Sequence, residues 1–234
     1  MEEVAITPYA FYWILFIAIA ILSFTVQANL ERKFRKYAKI GTRDGRTGYD
    51  IARQMLYDYG ISDVKITCVE GQLTDHYNPE TNTVNLSHDV YHGRSMTAAA
   101  VAAHECGHAV QHAQGYAPVR MRSALVPVVQ VSSRLVTWVL LIGIMMVEVF
   151  PGLMLAGIAL FAMTTLFSFV TLPVEIDASR RALAWLQHTQ SADNETMAVA
   201  RDALKAAAYT YVVAAISSLG TLIYYIMIFT SRRS

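Results

Sequence analysis

Charge vanishes from this sequence in three long stretches. Val4 to Leu30, Val149 to Val174 and Ala206 to Ser231 hold no Asp, Glu, Lys or Arg, over 27, 26 and 26 residues. Each exceeds the roughly 20 residues that a helix needs to cross a hydrocarbon core of about 30 Å. A fourth run, Leu135 to Val147, has 13 residues between Arg134 and Glu148. It spans only as part of a helix that begins before Arg134, near Ser123 or Leu125; the alternative is a buried or interfacial helix. The segment Glu148-Val149-Phe150-Pro151-Gly152 makes a tight turn into the next run, which favours the span. Four transmembrane helices are therefore expected, in an N-terminal anchor (1–30), a hairpin (123–172) and a C-terminal helix (206–234). The first run follows Met-Glu-Glu, an acidic leader with no small-residue cleavage site after it, and is expected to remain as an anchor.

Between the runs the periodicity changes. In 31–122, Ile51, Met55 and Leu56 recur at helical spacing over Tyr49 to Tyr59, and Gly60 ends that helix. Val64, Ile66 and Cys68 alternate with Lys65, Thr67 and Val69 and predict a strand. Leu73 to Tyr77 and Thr83 to Ser87 flank the turn cluster Asn78-Pro79-Glu80-Thr81-Asn82 and predict a hairpin. Ser95 is placed to cap a helix from Met96 to about Gln114, closed by Gly115 and Pro118. The segment 173–205 is a second, shorter polar block. The expected fold is an integral membrane protein, mainly α, with a small α+β unit built from the two polar blocks.

Composition agrees. Hydrophobic residues make up 54% of the 234, charged residues 16%, and the mean hydropathy is +0.34. Disordered and collagen-like chains are excluded. A net charge of +1 gives no global field for nucleic acid. The distribution of charge is informative. Residues 31–122 carry twelve of the nineteen Lys and Arg, and 173–205 carry four more. By the positive-inside rule both blocks face the cytoplasm, with the termini outside. Arg232 and Arg233 run against that orientation, at the end of the span that orients least. Cys68 and Cys106 suit a reducing compartment, form no CxxC pair, and are expected to be buried thiols.

The long helix of the first block contains His104-Glu105-Cys106-Gly107-His108, the HExxH spacing. Residues four apart lie on one face, so both imidazoles can meet one ion. Glu105 is turned about 100° from His104 and can miss the metal yet reach its water as a general base. Its surroundings, Ala98 to Ala103, are apolar, where a Glu between two His needs a partner ion. His112 lies about 12 Å further along the axis than His104 and cannot share that ion. It is expected at the surface or behind a ligand. The third ligand is sought in the second block. Glu175, with Ser179 one turn on in a short helix, is the first candidate and Asp177 the second. Thr83–Ser87, with Asn85 at its centre, is a candidate edge for a peptide added as a strand. His76, Tyr77, Arg181 and Tyr211 are candidate oxyanion donors.

Three segments, HECGHAVQH, LTDHYNPETNTVNLS and LPVEIDASRRA, resemble the YugP-like family of bacterial membrane zinc metallopeptidases. The similarity covers nearly the whole chain. More distant is the resemblance to HtpX and the CAAX prenyl proteases, gluzincins with two transmembrane helices between HExxH and a Glu-x-x-x-Asp motif. The resemblance implies one zinc per chain on His104, His108 and Glu175, with Glu105 catalytic. It also implies a gluzincin-like unit at the cytoplasmic face of the cell membrane, with peptides or proteins, membrane proteins included, as substrates. Ser179 stands where the distant relatives have Asp. The rival reading is a degenerate protease fold kept as a scaffold, against which an intact Glu105 argues. A metal transporter is disfavoured because none of the seven His lies in a charge-free run.

Overall fold

The computed structural model describes residues 8–189 and 193–231. Glu3, Arg232 and Arg233, which bore on the placing of the termini, lie outside the described residues. The elements follow in the order α1 (Pro8–Tyr37), α2 (Gly48–Asp58), β1 (Lys65–Val69), β2 (His76–Asn78), β3 (Thr83–Ser87), α3 (His88–Tyr91), α4 (Met96–Ala113), α5 (Ala117–Met145), α6 (Pro151–His188) and α7 (Asn194–Ser231). Four of these helices, α1, α5, α6 and α7, are long and apolar enough to cross a membrane.

At 38 residues each, α6 and α7 extend about 57 Å, nearly twice the hydrocarbon thickness. The polar segments expected as separate short helices are thus continuations of the spans. Pro173 sits inside α6 without ending it. Beyond it, Val174, Ala178, Ala182, Trp185 and Leu186 form one buried stripe at helical spacing. That burial offsets the single backbone hydrogen bond that proline removes. A second difference concerns α5, which starts at Ala117 rather than near Ser123 or Leu125. Pro118 stands in its first turn, where a missing N–H has no helical partner to lose, so the residue expected to stop one helix starts the next.

The chain divides into two units. One takes the chain up to Val26, Met121–Leu172 and the chain from Thr210; the other takes Gln27–Arg120 and Pro173–Tyr209. In the first unit Leu140, Val147, Met154 and Ile158 form a buried cluster, with Leu222 and Tyr225 packed against it. Large apolar side chains such as Trp138, Leu141, Leu155 and Ile216 remain exposed, as lipid-facing positions would be.

The second unit has a core of Ile51, Met55, Val84, Leu86, Met96 and Leu186 around the alanines of α4. Thr47 and Asp50 form a reciprocal capping box on α2. The Ser95 side chain accepts the Ala98 N–H to begin α4. The other end of α4 closes on Gly115 at φ +63, with the Tyr116 N–H donating to the Gln111 carbonyl. The three strands are ordered β1-β3-β2, with β1 parallel and β2 antiparallel to β3.

That order corrects one expectation. Thr83–Ser87 is the central strand, paired along both edges, and its backbone cannot accept a peptide strand. The hairpin was visible in the turn cluster, whereas the parallel pairing with β1 leaves no local signal. Cys68 also departs from expectation. It is exposed on β1, while Cys106 is buried with its thiol against the Ala52 carbonyl.

Candidate metal centre

The site is built by α4 and α6, within the second unit. His104 and His108 stand one turn apart on α4, ring centroids 4.8 Å apart. Glu175, 3% exposed, reaches them from α6. Its Oε2 lies 3.3 Å from His104 Nε2 and 3.5 Å from His108 Nε2. The three ligand atoms fall within 4.8 Å of one another, the one such group among the described residues. Ligands about 2.0–2.2 Å from a tetrahedral zinc stand about 3.3–3.6 Å apart. The spacing of imidazole nitrogen and carboxylate oxygen therefore fits zinc, and the donor set of two nitrogens and one oxygen leaves a fourth position open.

Each imidazole is held from behind. His104 Nδ1 lies 3.1 Å from Ser179 Oγ. His108 Nδ1 lies 3.1 Å from Gln111 Oε1. Gln111 is fully buried, and its Nε2 donates to the Val174 carbonyl at 2.8 Å and to Asp177 Oδ2 at 3.0 Å. Asp177, the second candidate for the third ligand, is turned away from the imidazoles and pairs with Arg180 and Arg181. Burial alone would raise its carboxyl pKa. The hydrogen bonds from Arg181, Gln111 and Arg180 outweigh that and hold it below the usual range.

Glu105 lies in the same region but is not part of the His104, His108 and Glu175 group. Its Oε2 accepts the backbone N–H of Tyr77 on β2 at 3.1 Å. Burial pushes its carboxyl above the ordinary range, and the two imidazoles only partly counter this. Glu175 behaves oppositely. Burial would raise its pKa, but hydrogen bonds and charge from both histidines prevail and hold the carboxyl well below its usual range. Burial likewise opposes a charge on His108, and the hydrogen bond and charge of Glu175 outweigh it, raising that pKa. The two carboxylates of the site are thus shifted in opposite directions.

The remaining candidates are placed elsewhere. His112 is exposed and meets the Tyr77 ring edge-on. His76 and Asn85 contact each other at 3.2 Å across the β2–β3 pair, and Asn85 also accepts from Thr67. The Tyr77 hydroxyl donates to Asn82. Arg181 is engaged by Asp177, by Gln114 Oε1 at 2.6 Å and by the face of Tyr116, so its guanidinium is committed to structure. Tyr211 belongs to the stretch of α7 in the other unit. Gln111 and Gly107 were missed by the sequence reading. A polar Gln three residues past His108, inside an Ala/Val-rich helix, was the available signal.

The family described as "Putative neutral zinc metallopeptidase" matches the chain over residues 12–230. The chain is also similar to "Putative membrane protease YugP" of Bacillus subtilis (strain 168), with 39% identity over 221 residues that cover 94% of this chain and 97% of that protein. No solved structure matches the chain significantly.

Proposed function

The chain belongs to this neutral zinc metallopeptidase family, and on that premise we propose that it is a multi-pass membrane peptidase of gluzincin type, with zinc on His104, His108 and Glu175 and Glu105 as general base. The observation that carries the reading is the convergence of two imidazole nitrogens and one carboxylate oxygen at 3.3 and 3.5 Å. Zinc bound there supplies a Lewis acid that polarises a peptide carbonyl and makes water nucleophilic near neutral pH.

The chain's own groups do the rest. The Tyr77 N–H holds one oxygen of Glu105 and leaves the other free. The free oxygen of this buried carboxylate is placed to act as a general base on water in the site. It takes the proton of the attacking water and delivers it to the departing amine nitrogen. Ser179 and Gln111 fix the orientation of the two imidazoles. The substrate backbone adds along β2, an edge strand whose Tyr77 N–H already touches Glu105. The catalytic unit comprises the polar blocks 31–122 and 173–205, facing the cytoplasm, where sixteen of the nineteen Lys and Arg reside. The hydrophobic segments 1–30, 123–172 and 206–234 anchor it in the cell membrane.

Glu105→Gln tests the reading. It keeps size and removes the base, so purified protein is expected to retain one zinc and lose 10²–10⁴-fold in peptide cleavage. Substantial cleavage by the variant would move the general base elsewhere.

A further inference from the structure

We infer that Gln111 is a positioning residue that locks His108 in the tautomer able to bind the metal, an inference that rests on His108 being a ligand. A neutral imidazole carries its proton on either Nδ1 or Nε2, and only the Nδ1–H form presents a lone pair from Nε2. In His108, Nε2 faces Glu175 and Nδ1 faces Gln111.

The Gln111 amide has one fixed orientation. Its NH₂ group meets two atoms that only accept, the Val174 backbone carbonyl and Asp177 Oδ2. Asp177 is itself ion-paired to Arg180 and Arg181 and stays a carboxylate. Turning the amide over would set its carbonyl oxygen against both acceptors in a fully buried position, bringing oxygen against oxygen and leaving Oε1 without either bond that the NH₂ group makes there. Oε1 is therefore held towards His108 Nδ1, and the pair is satisfied only when Nδ1 carries the hydrogen.

His104 is held differently. Its Nδ1 meets the Ser179 hydroxyl, which can donate or accept and so tolerates either tautomer. The lock is one-sided: His108 is preset for the ion, while His104 adapts. The charge behind the amide adds to this. Asp177 draws the Gln111 N–H bonds and makes Oε1 a stronger acceptor, which raises the basicity of the metal-binding nitrogen, as a carboxylate does in a carboxylate–histidine–zinc triad.

The test uses the full-length protein in detergent. Gln111→Met keeps length, removes both amide donors and replaces the amide oxygen with a weakly accepting sulfur. Zinc affinity, measured by competition with a chelator of known strength, is expected to fall 10–100-fold. Nitrogen NMR of histidine-labelled, metal-free Glu175→Ala protein in alkaline buffer, where the imidazoles are neutral and no carboxylate competes for the Nε2 hydrogen, reads the tautomer directly. With Gln111 in place His108 is expected as Nδ1–H, and with Gln111→Met added as a mixture, a change that lost packing alone would not produce. Should the Gln111→Met protein fail to fold, the tautomer in Glu175→Ala alone decides, and an Nε2–H form would overturn the lock. His108→Ala is the control for the underlying reading. If it loses zinc while Gln111→Met binds zinc as wild type does, the lock is wrong and the site stands. Zinc retained by His108→Ala would remove the ligand assignment and the lock together.

Discussion

Gly107→Ala is the smallest change that reaches the metal centre without touching a ligand. A Cβ at this position would lie 2.7 Å from the Ala178 carbonyl oxygen and 3.1 Å from its Cα, both backbone atoms of α6. An ordinary contact needs about 3.4 Å, so α6 must give way by about 0.7 Å. Ala178 sits between Glu175 and Ser179, and the shift is transmitted to both. Metal–ligand distances tolerate about 0.2 Å, so the displaced Glu175 no longer meets the ion together with both histidines. Zinc affinity is expected to fall at least tenfold, roughly 1.4 kcal/mol. The metal-free protein should suffer less. Overpacking costs about 1–3 kcal/mol, and alanine in a helix interior returns about 1 kcal/mol relative to glycine. Chelator competition and thermal unfolding of stripped protein measure the two separately. Ala178→Gly should not rescue the variant, because the clash is with backbone. Wild-type affinity in Gly107→Ala, or recovery in the double variant, would refute the contact from which the magnitude is worked.

Other outcomes follow from burial, charge and capping. One thiol per folded chain, that of exposed Cys68, should react with a maleimide, whereas Cys106, whose thiol pKa is pushed up by burial, should react only on unfolding; modification of Cys106 in folded protein would show that the α2–α4 contact opens. Cysteines introduced at Arg43 and Asp193 should resist an impermeant label applied to intact cells, and one at Glu148 should accept it; the reverse pattern would invert the orientation. Thr47 lowers the Asp50 pKa through their capping bonds, so the stability Asp50 contributes is present above its unfolded pKa of about 3.9 and is lost as pH falls through the lower folded value. Asp50→Asn should therefore cost on the order of 1 kcal/mol at neutral pH, and the difference in melting from wild type should vanish in strong acid.

The sequence carried whatever depends on local spacing. The HExxH positions follow from helical geometry, and the start of α4 from Ser95. The spans follow from length without charge. Contacts between segments distant in the chain left weaker marks. The parallel pairing of β1 with β3 joins residues eighteen apart around the intervening β2, so Thr83–Ser87 looked like an edge when it is the centre. Pro118 looked like a helix end, and the second polar block was expected to begin afresh at Pro173, because proline disfavours helix interiors. The first stands where no hydrogen bond is lost, and the second lies in a helix fixed by a buried stripe on either side of Ala178.

The same distinction explains why Glu175 was identifiable and Gln111 was not. A carboxylate just past an apolar run is conspicuous in composition. A glutamine within an alanine-rich helix acquires its role only when α6 brings the Val174 carbonyl and Asp177 against it. The close approach of Gly107 to Ala178 is what allows α6 to do so, because any larger residue would hold the helices apart. Gly107 lies between Glu105 and His108, and Gln111 one turn beyond. The face of α4 that carries the proposed ligands is therefore also a face that needs a close helix contact. Ligand geometry and packing are in this way one constraint, and substitutions along that face should alter metal affinity and the α4–α6 contact together.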